Sequence, residues 1–181
     1  MIIIIFHKKI NMASMHFCFG ENRYIKYSAE VALRQTTSGN YLGILLNKGV
    51  KSVFVCVDAM LALVDQQIEI SEGIAESVTK FDADKKNYGP KFQTIYQNIF
   101  YERSYTQYRV EMVAQGQFPP LFGVAMFFIP EGCYEWSPTK FSVFVPKYIW
   151  DRFYKKLPKI ISALTSVMSA RKGVRLIFSD M

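Results

Sequence analysis

Lys51-Ser52-Val53-Phe54-Val55-Cys56 decides the reading of the fold, because its central tetrapeptide returns 90 residues later as Ser142-Val143-Phe144-Val145. A shared tetrapeptide has weight only if its flanks agree. Upstream of the first copy, Tyr41 to Val57 reads as a hairpin, with Asn47-Lys48-Gly49 as the turn between two apolar, β-branched runs. Downstream, Asp58 suits a helix N-cap, and Met60, Leu61, Val64, Ile68 and, after a slip, Ile70 and Ile74 keep helical spacing, with Gly73 expected to bend or end the helix. Around the second copy, Leu121 to Val145 again reads as strand, turn and strand. Pro130-Glu131-Gly132 supplies the turn and Pro138 stands ahead of the last strand. Ile149, Trp150, Phe153, Leu157, Ile160, Ile161 and Leu164 then form an apolar helical stripe, in which Pro158 is expected to make a kink.

At this offset Met60 falls on Trp150, Leu63 on Phe153, Ile70 on Ile160 and Ile74 on Leu164. More strand-like sequence precedes each hairpin, at 15–35 and at 92–115. The expectation is an α+β chain of two ββββα repeats. Each is a curved antiparallel sheet with a helix on one face, and the two form an intramolecular pseudo-dimer. The repeats are placed at 12–80 and 92–181. The polar stretch 81–91, with Gly89-Pro90, is read as the linker. Within each SVFV strand the side chains alternate. The compact valines suit the helix-covered face, which leaves Phe54 and Phe144 on a second face open to a partner.

The chain has 181 residues, half of them hydrophobic, with 15 Phe and 11 Tyr, which is ample core material and more aromatic surface than a small core needs. Three widely spaced cysteines and two histidines make neither a disulfide framework nor a zinc site. The opening Met1-Ile2-Ile3-Ile4-Ile5-Phe6 run is too short for a membrane span and has its charges on the wrong side for a signal peptide, so a strand or ordered tail is expected. The location expected is the nucleus or the cytoplasm, without secretion or membrane attachment. The formal net charge of +7 points to an anionic partner, nucleic acid first. The charge is uneven. Residues 58–76 carry five acidic and no basic side chains, whereas Lys147, Arg152, Lys155, Lys156 and Lys159 face only Asp151 within 147–159. The two helices are read either as solvated faces of opposite sign or as lying side by side with complementary charge.

The segment from Pro130-Glu131-Gly132 through Lys140, Val143 to Val145 and Trp150 resembles the C-terminal domain of the transcriptional coactivator p15, the positive-cofactor-four family. The match covers roughly 110–165, and residues 41–78 follow the same pattern without the PEG turn and the Trp. The ββββα repeat is also similar to the Whirly and Pur single-strand binders. The resemblance implies a single-stranded nucleic-acid-binding module that acts as a dimer, with paired sheets that hold unwound DNA through aromatic and basic residues.

Sequence-tolerant binding of single strands needs cations for phosphates and aromatic platforms for bases. The expected binding residues are Arg23, Tyr24, Lys26, Arg34, Tyr41, Lys48, Lys51 and Phe54 in the first repeat. In the second they are Arg103, Tyr105, Arg109, Trp136, Lys140 and Phe144. Trp150 is expected in the core, because it belongs to the helical stripe. No P-loop, GxSxG, HExxH or zinc pattern occurs, and Asp82-Ala83-Asp84 lacks further ligands, so no enzyme, metal or cofactor is expected. The expected function is nonenzymatic binding of single-stranded DNA, with RNA as a second ligand, in transcription or replication and alongside proteins of those processes. The alternative is a structural or assembly protein, of the kind a virus encodes, that uses the open sheet face for a protein partner or for a homodimer or higher assembly.

Overall fold

The computed structural model describes residues 3–4, 16–21, 24–36, 39–116 and 118–179. Its strands are β1 (Ile3–Ile4), β2 (His16–Glu21), β3 (Lys26–Thr36), β4 (Gly39–Lys48), β5 (Lys51–Cys56), β6 (Gln93–Arg103), β7 (Thr106–Ala114), β8 (Leu121–Phe128) and β9 (Ser137–Pro146). Its helices are α1 (Val57–Asp65), α2 (Gln67–Asp84) and α3 (Lys147–Ser179), with a 3-10 turn over Lys85–Asn87. Two antiparallel sheets result, one running β2-β3-β4-β5 and the other β6-β7-β8-β9, each followed by helix. β1 adds a short pair to β3 beside β2. The protein is α+β and consists of two ββββα units that pair within one chain. Among the described residues, no helix is long and apolar enough to cross a membrane.

The repeat is strict where the two strand ladders are compared. Glu30, Leu45 and Phe54 lie side by side across the first sheet, and Glu111, Gly123 and Phe144 do so across the second. The first strand of each unit also bulges at matching places, between Cys18 and Gly20 and between Ile99 and Tyr101. A bulge places an extra residue outside the pairing. Here that residue is Phe19 or Phe100, and both are buried in the core. Leu45 and Gly123 stand 78 residues apart, whereas Phe54 and Phe144 stand 90 apart, so the β8–β9 connection is 12 residues longer than its counterpart. That loop holds the PEG turn, in which Cys133 N donates to Pro130 O at 3.0 Å and Gly132 has φ of 77°. This is a turn that needs glycine at its third position.

The helices dock reciprocally. α1 and α2 pack on β6 of the other unit, and α3 packs on β2 of the first. The contacts match as well. Gln66 Nε2 donates to Phe100 O at 3.0 Å, while Arg152 donates to Phe19 O at 3.0 Å and Lys156 to Cys18 O at 2.6 Å. The four helix pairs expected to superpose are all buried, Met60 with Trp150, Leu63 with Phe153, Ile70 with Ile160 and Ile74 with Leu164. The valines of both SVFV strands belong to the same core. β5 and β9 are the edge strands of their sheets and run close to one another. An edge strand leaves carbonyls without ladder partners. The two phenylalanine carbonyls find theirs in the opposite unit, Phe54 O accepting from Tyr108 Oη at 2.8 Å and Phe144 O from Lys48 Nζ at 2.7 Å.

Several local expectations change. The first hairpin turns at Gly49-Val50, one step later than expected, because Asn47 and Lys48 stay in the ladder opposite Ser52 and Lys51. The first helix starts at Val57, so Asp58 lies in its first turn and not at the cap. The break falls at Gln66, whose side chain is anchored on β6, and α2 passes through Gly73. Glycine is needed at 73 for packing, since a Cβ there would collide with the ring of Tyr96. Leu61 and Ile68 point outward, because the shifted break puts Ala59, Met60, Leu63 and Ile70 inside. Pro138 lies within β9, opposite Phe127, at an edge where a missing N–H is tolerated. α3 continues through the exposed Pro158, with Phe153, Leu157 and Ile160 holding both sides to one core. α2 extends into the stretch read as the linker and buries Phe81, which packs on Tyr88 at 4.8 Å. The expected charge pairing of the helices is also absent. Among the described residues no ion pair joins α1 or α2 to α3, and Arg152 and Lys156 hold backbone carbonyls of β2 instead.

Candidate nucleic-acid interface

The face of each sheet away from the helices follows from the register. On the first sheet it carries Ala32 and Arg34 of β3, Tyr41 and Leu45 of β4, and Ser52 and Phe54 of β5. The second unit contributes Phe141 to the same place. β9 bulges opposite Met126, since the pairs Ala125–Ser142 and Phe127–Pro138 leave Thr139, Lys140 and Phe141 of β9 against Met126 alone of β8. Thr139 secures this bulge, its Oγ1 donating to Met126 O at 2.7 Å while accepting from Phe141 N at 3.0 Å. The bulge releases Phe141 from the alternation of its strand. Phe141 then closes a small cavity with Ala32, Leu33, Arg34, Leu45, Ser52 and Phe54.

Arg34 covers this seam. Its guanidinium carbon lies 5.9 Å from the ring centres of both Phe54 and Phe141, within cation–π range. Its Nε is buried and bonds to none of the described residues. Lys140 Nζ stands 5.6 Å from the Phe141 ring. A second, smaller cluster lies on the other sheet. Arg109 rests on the Phe127 ring at 3.8 Å, donates to Gln97 at 3.3 Å and is also bonded by Gln107. Two arginines thus lie within cation–π range of aromatic rings on the sheet faces, Arg34 with a buried Nε and Arg109 donating to Gln97 and Gln107. This arrangement suits phosphate oxygens and base faces alike.

The expected binding residues separate on this geometry. Arg34, Phe54 and Lys140 come together, with Tyr41 exposed beside Arg34 in register. Phe54 is only 9% exposed, its ring lying against Gly43 and lining the cavity with Arg34 and Phe141. Arg109 lies on the second sheet, and the half-buried Phe144 lies on that same face. Lys48 is spent on the Phe144 carbonyl, and burial, followed by the charge of Lys51, holds its pKa below the usual lysine value. Lys26 and Lys51 are exposed at strand ends, and Tyr24 is exposed ahead of β3. Arg103 pairs with Asp58 of α1 at 3.6 Å, and its neighbour Tyr105 is exposed in the β6–β7 turn. Trp136 is half-buried in the long β8–β9 loop, and Arg23 lies outside the described residues. Phe141 and Phe127 were not anticipated. The only sequence signal for Phe141 is its place beside Lys140, since the bulge that redirects it depends on Thr139 and on the β8 partner.

Glu111 sits beneath the Arg109 cluster and is only 7% exposed. Burial raises its pKa, and the Arg109 charge opposes that rise. Between the ordinary glutamate value and the raised folded value, the folded state holds more protons than the unfolded chain. Stability contributed here is complete in acid and falls as pH rises through the folded pKa. A Glu111→Gln variant is expected to show a small rise in its urea midpoint at neutral pH, shrinking to nothing below the ordinary carboxylate range. Urea titrations across pH check this, and a variant less stable than the parent at neutral pH would contradict it.

Fold and face together define the class: a tandem ββββα pseudo-dimer with an arginine–aromatic seam on the sheet surface away from its helices. Comparison with protein-family models and with curated proteins finds no match for this chain.

Proposed function

We propose that this is a nonenzymatic single-stranded nucleic-acid-binding protein, with DNA preferred and RNA as a second ligand. The observation that carries the proposal is the convergence of Arg34 and Lys140 on Phe54 and Phe141 where the two units meet. Arg109 on Phe127 adds a second arginine–aromatic element on the neighbouring sheet. In this reading the cations capture the strand, and bases stack on the arginine planes and on the exposed tyrosines nearby. No base edge is read, so sequence preference is weak. The resemblance of the PEG turn, β9 strand and Trp150 helix to the p15 coactivator family supports the same ligand. A nuclear or cytoplasmic role on exposed strands, in transcription or replication, belongs to this proposal.

The test is fluorescence anisotropy of a labelled single-stranded oligonucleotide titrated with the full chain over a salt series. Each phosphate contact steepens the dependence of log K on log salt by about 0.7 for single strands, so Arg34, Lys140 and Arg109 together predict a slope of about −2. Absence of binding at low salt would remove this reading. It would leave the assembly reading, in which the open sheet face takes a protein partner.

A further inference from the structure

The charges on the two helical faces have no partners in one another among the described residues, and several of their positions correspond in sequence. On α1 and α2, Asp65 and Glu72 are exposed and make no ion pair among the described residues, and Glu69 holds only the Asn98 amide at 3.3 Å. On α3, Lys155 and Lys159 are exposed and equally unpaired among the described residues. The separation of 90 that relates the helices places Asp65 on Lys155 and Glu69 on Lys159. It also places Ile68, 75% exposed, on the exposed Pro158. Leu61 extends the apolar strip on the acidic face, and Tyr148 begins the one on the basic face. The internal repeat therefore gives one molecule two exposed helix faces of opposite sign, each with an apolar element, the acidic one crossing the break at Gln66 and the basic one on a continuous helix.

We propose that the acidic α1–α2 face of one copy docks on the basic α3 face of a second copy. Asp65, Glu69 and Glu72 pair with Lys155 and Lys159, while Leu61 and Ile68 meet Tyr148 and Pro158. A second copy is the occupant because a surface of complementary charge is already present on the same chain. The contact is heterologous, so each pair retains one open face of each sign, and assembly continues head to tail. The surface lies on the helix side, away from Arg34 and Lys140, and the proposal does not depend on nucleic-acid binding.

Sedimentation velocity of the full chain over a range of concentrations, without nucleic acid, tests it. At low salt the weight-average sedimentation coefficient is expected to rise with concentration, and at high salt to return to the monomer value. Variant A carries Asp65→Lys and Glu72→Lys, and variant B carries Lys155→Glu and Lys159→Glu. Each alone is expected to associate about tenfold more weakly or worse, since attractive ion pairs at exposed positions become repulsions. An equimolar mixture of A and B is expected to regain association, because A then presents two basic faces and B two acidic ones. Gln substitutions at the same four positions stand in for any reversal that does not fold. A parent that stays monomeric at low salt overturns the proposal, as does a mixture no larger than its components. Association that appears only with added single-stranded oligonucleotide and is lost in B assigns the α3 face to nucleic acid and also overturns it.

Discussion

An Arg34→Ala, Lys140→Ala double variant is expected to bind single-stranded DNA about a hundredfold more weakly than the parent, on about 1.5 kcal/mol for each charged hydrogen bond removed. The same variant should lose about 1.4 from the salt slope, two contacts at about 0.7 each. The two changes are coupled, and that coupling separates a phosphate contact from a structural role. If Arg34 only shielded the rings of Phe54 and Phe141, its loss would lower the melting temperature and leave the slope unchanged. The proposed reading gives Arg34 both roles, so a modest drop in melting temperature is expected as well, of the size of a lost cation–π contact of roughly 0.5–1 kcal/mol. Titrations of parent and variant over the same salt series decide it. An unchanged slope would exclude these two side chains from the strand's path and move attention to Arg109 and its ring at Phe127.

The second large effect concerns Gly123. This residue lies on β8 directly opposite Phe144 of the SVFV strand. A Cβ there would intrude on the carbonyl oxygen of Val143 and stand 2.9 Å from both Cα and Cδ1 of Phe144. The obstacle is paired backbone, which cannot rotate away as a side-chain end can. To make room, β9 must separate from β8. That would also displace the Phe144 carbonyl from Lys48 and disturb the seam between the units. A Gly123→Ala variant is therefore expected to lose about 3 kcal/mol of stability, at the upper end of overpacking costs. Urea denaturation measures it, and a change under about 0.5 kcal/mol, the range of an ordinary surface substitution, would show that the strands adjust freely.

Much of the architecture was legible from local pattern. Alternation in SVFV assigned the valines to the core and the phenylalanines to the other face, and the register bears this out. The superposition of Met60, Leu63, Ile70 and Ile74 on Trp150, Phe153, Ile160 and Leu164 rests on helical spacing, which survives any change in loop length upstream. The PEG turn was legible because its geometry requires a glycine with positive φ at one position. The candidate site was less legible. Arg34 and Lys140 were named from type and strand context, but their meeting over Phe54 and Phe141 depends on a bulge in β9 and on contact between units. Lys48 had the right chemistry for a phosphate and instead meets the carbonyl of an edge strand that no local pattern identifies as needing a donor.

By itself, the sequence determined the elements, their order and their duplication, because helix and strand periodicities are local and each apolar stripe must be buried somewhere. It did not determine where. An amphipathic helix is equally suited to its own sheet or to a sister sheet, and only the whole fold decided that α1 and α2 cover β6 while α3 covers β2. That reciprocal docking matches the carbonyls of Phe19 and Phe100 with donors from the opposite helix, and the contact of β5 with β9 does the same for Phe54 and Phe144. The opposite helix charges stay exposed and form no ion pair with one another among the described residues. Coulomb attraction at exposed positions is too weak to orient helices against the burial of a phenylalanine-rich core.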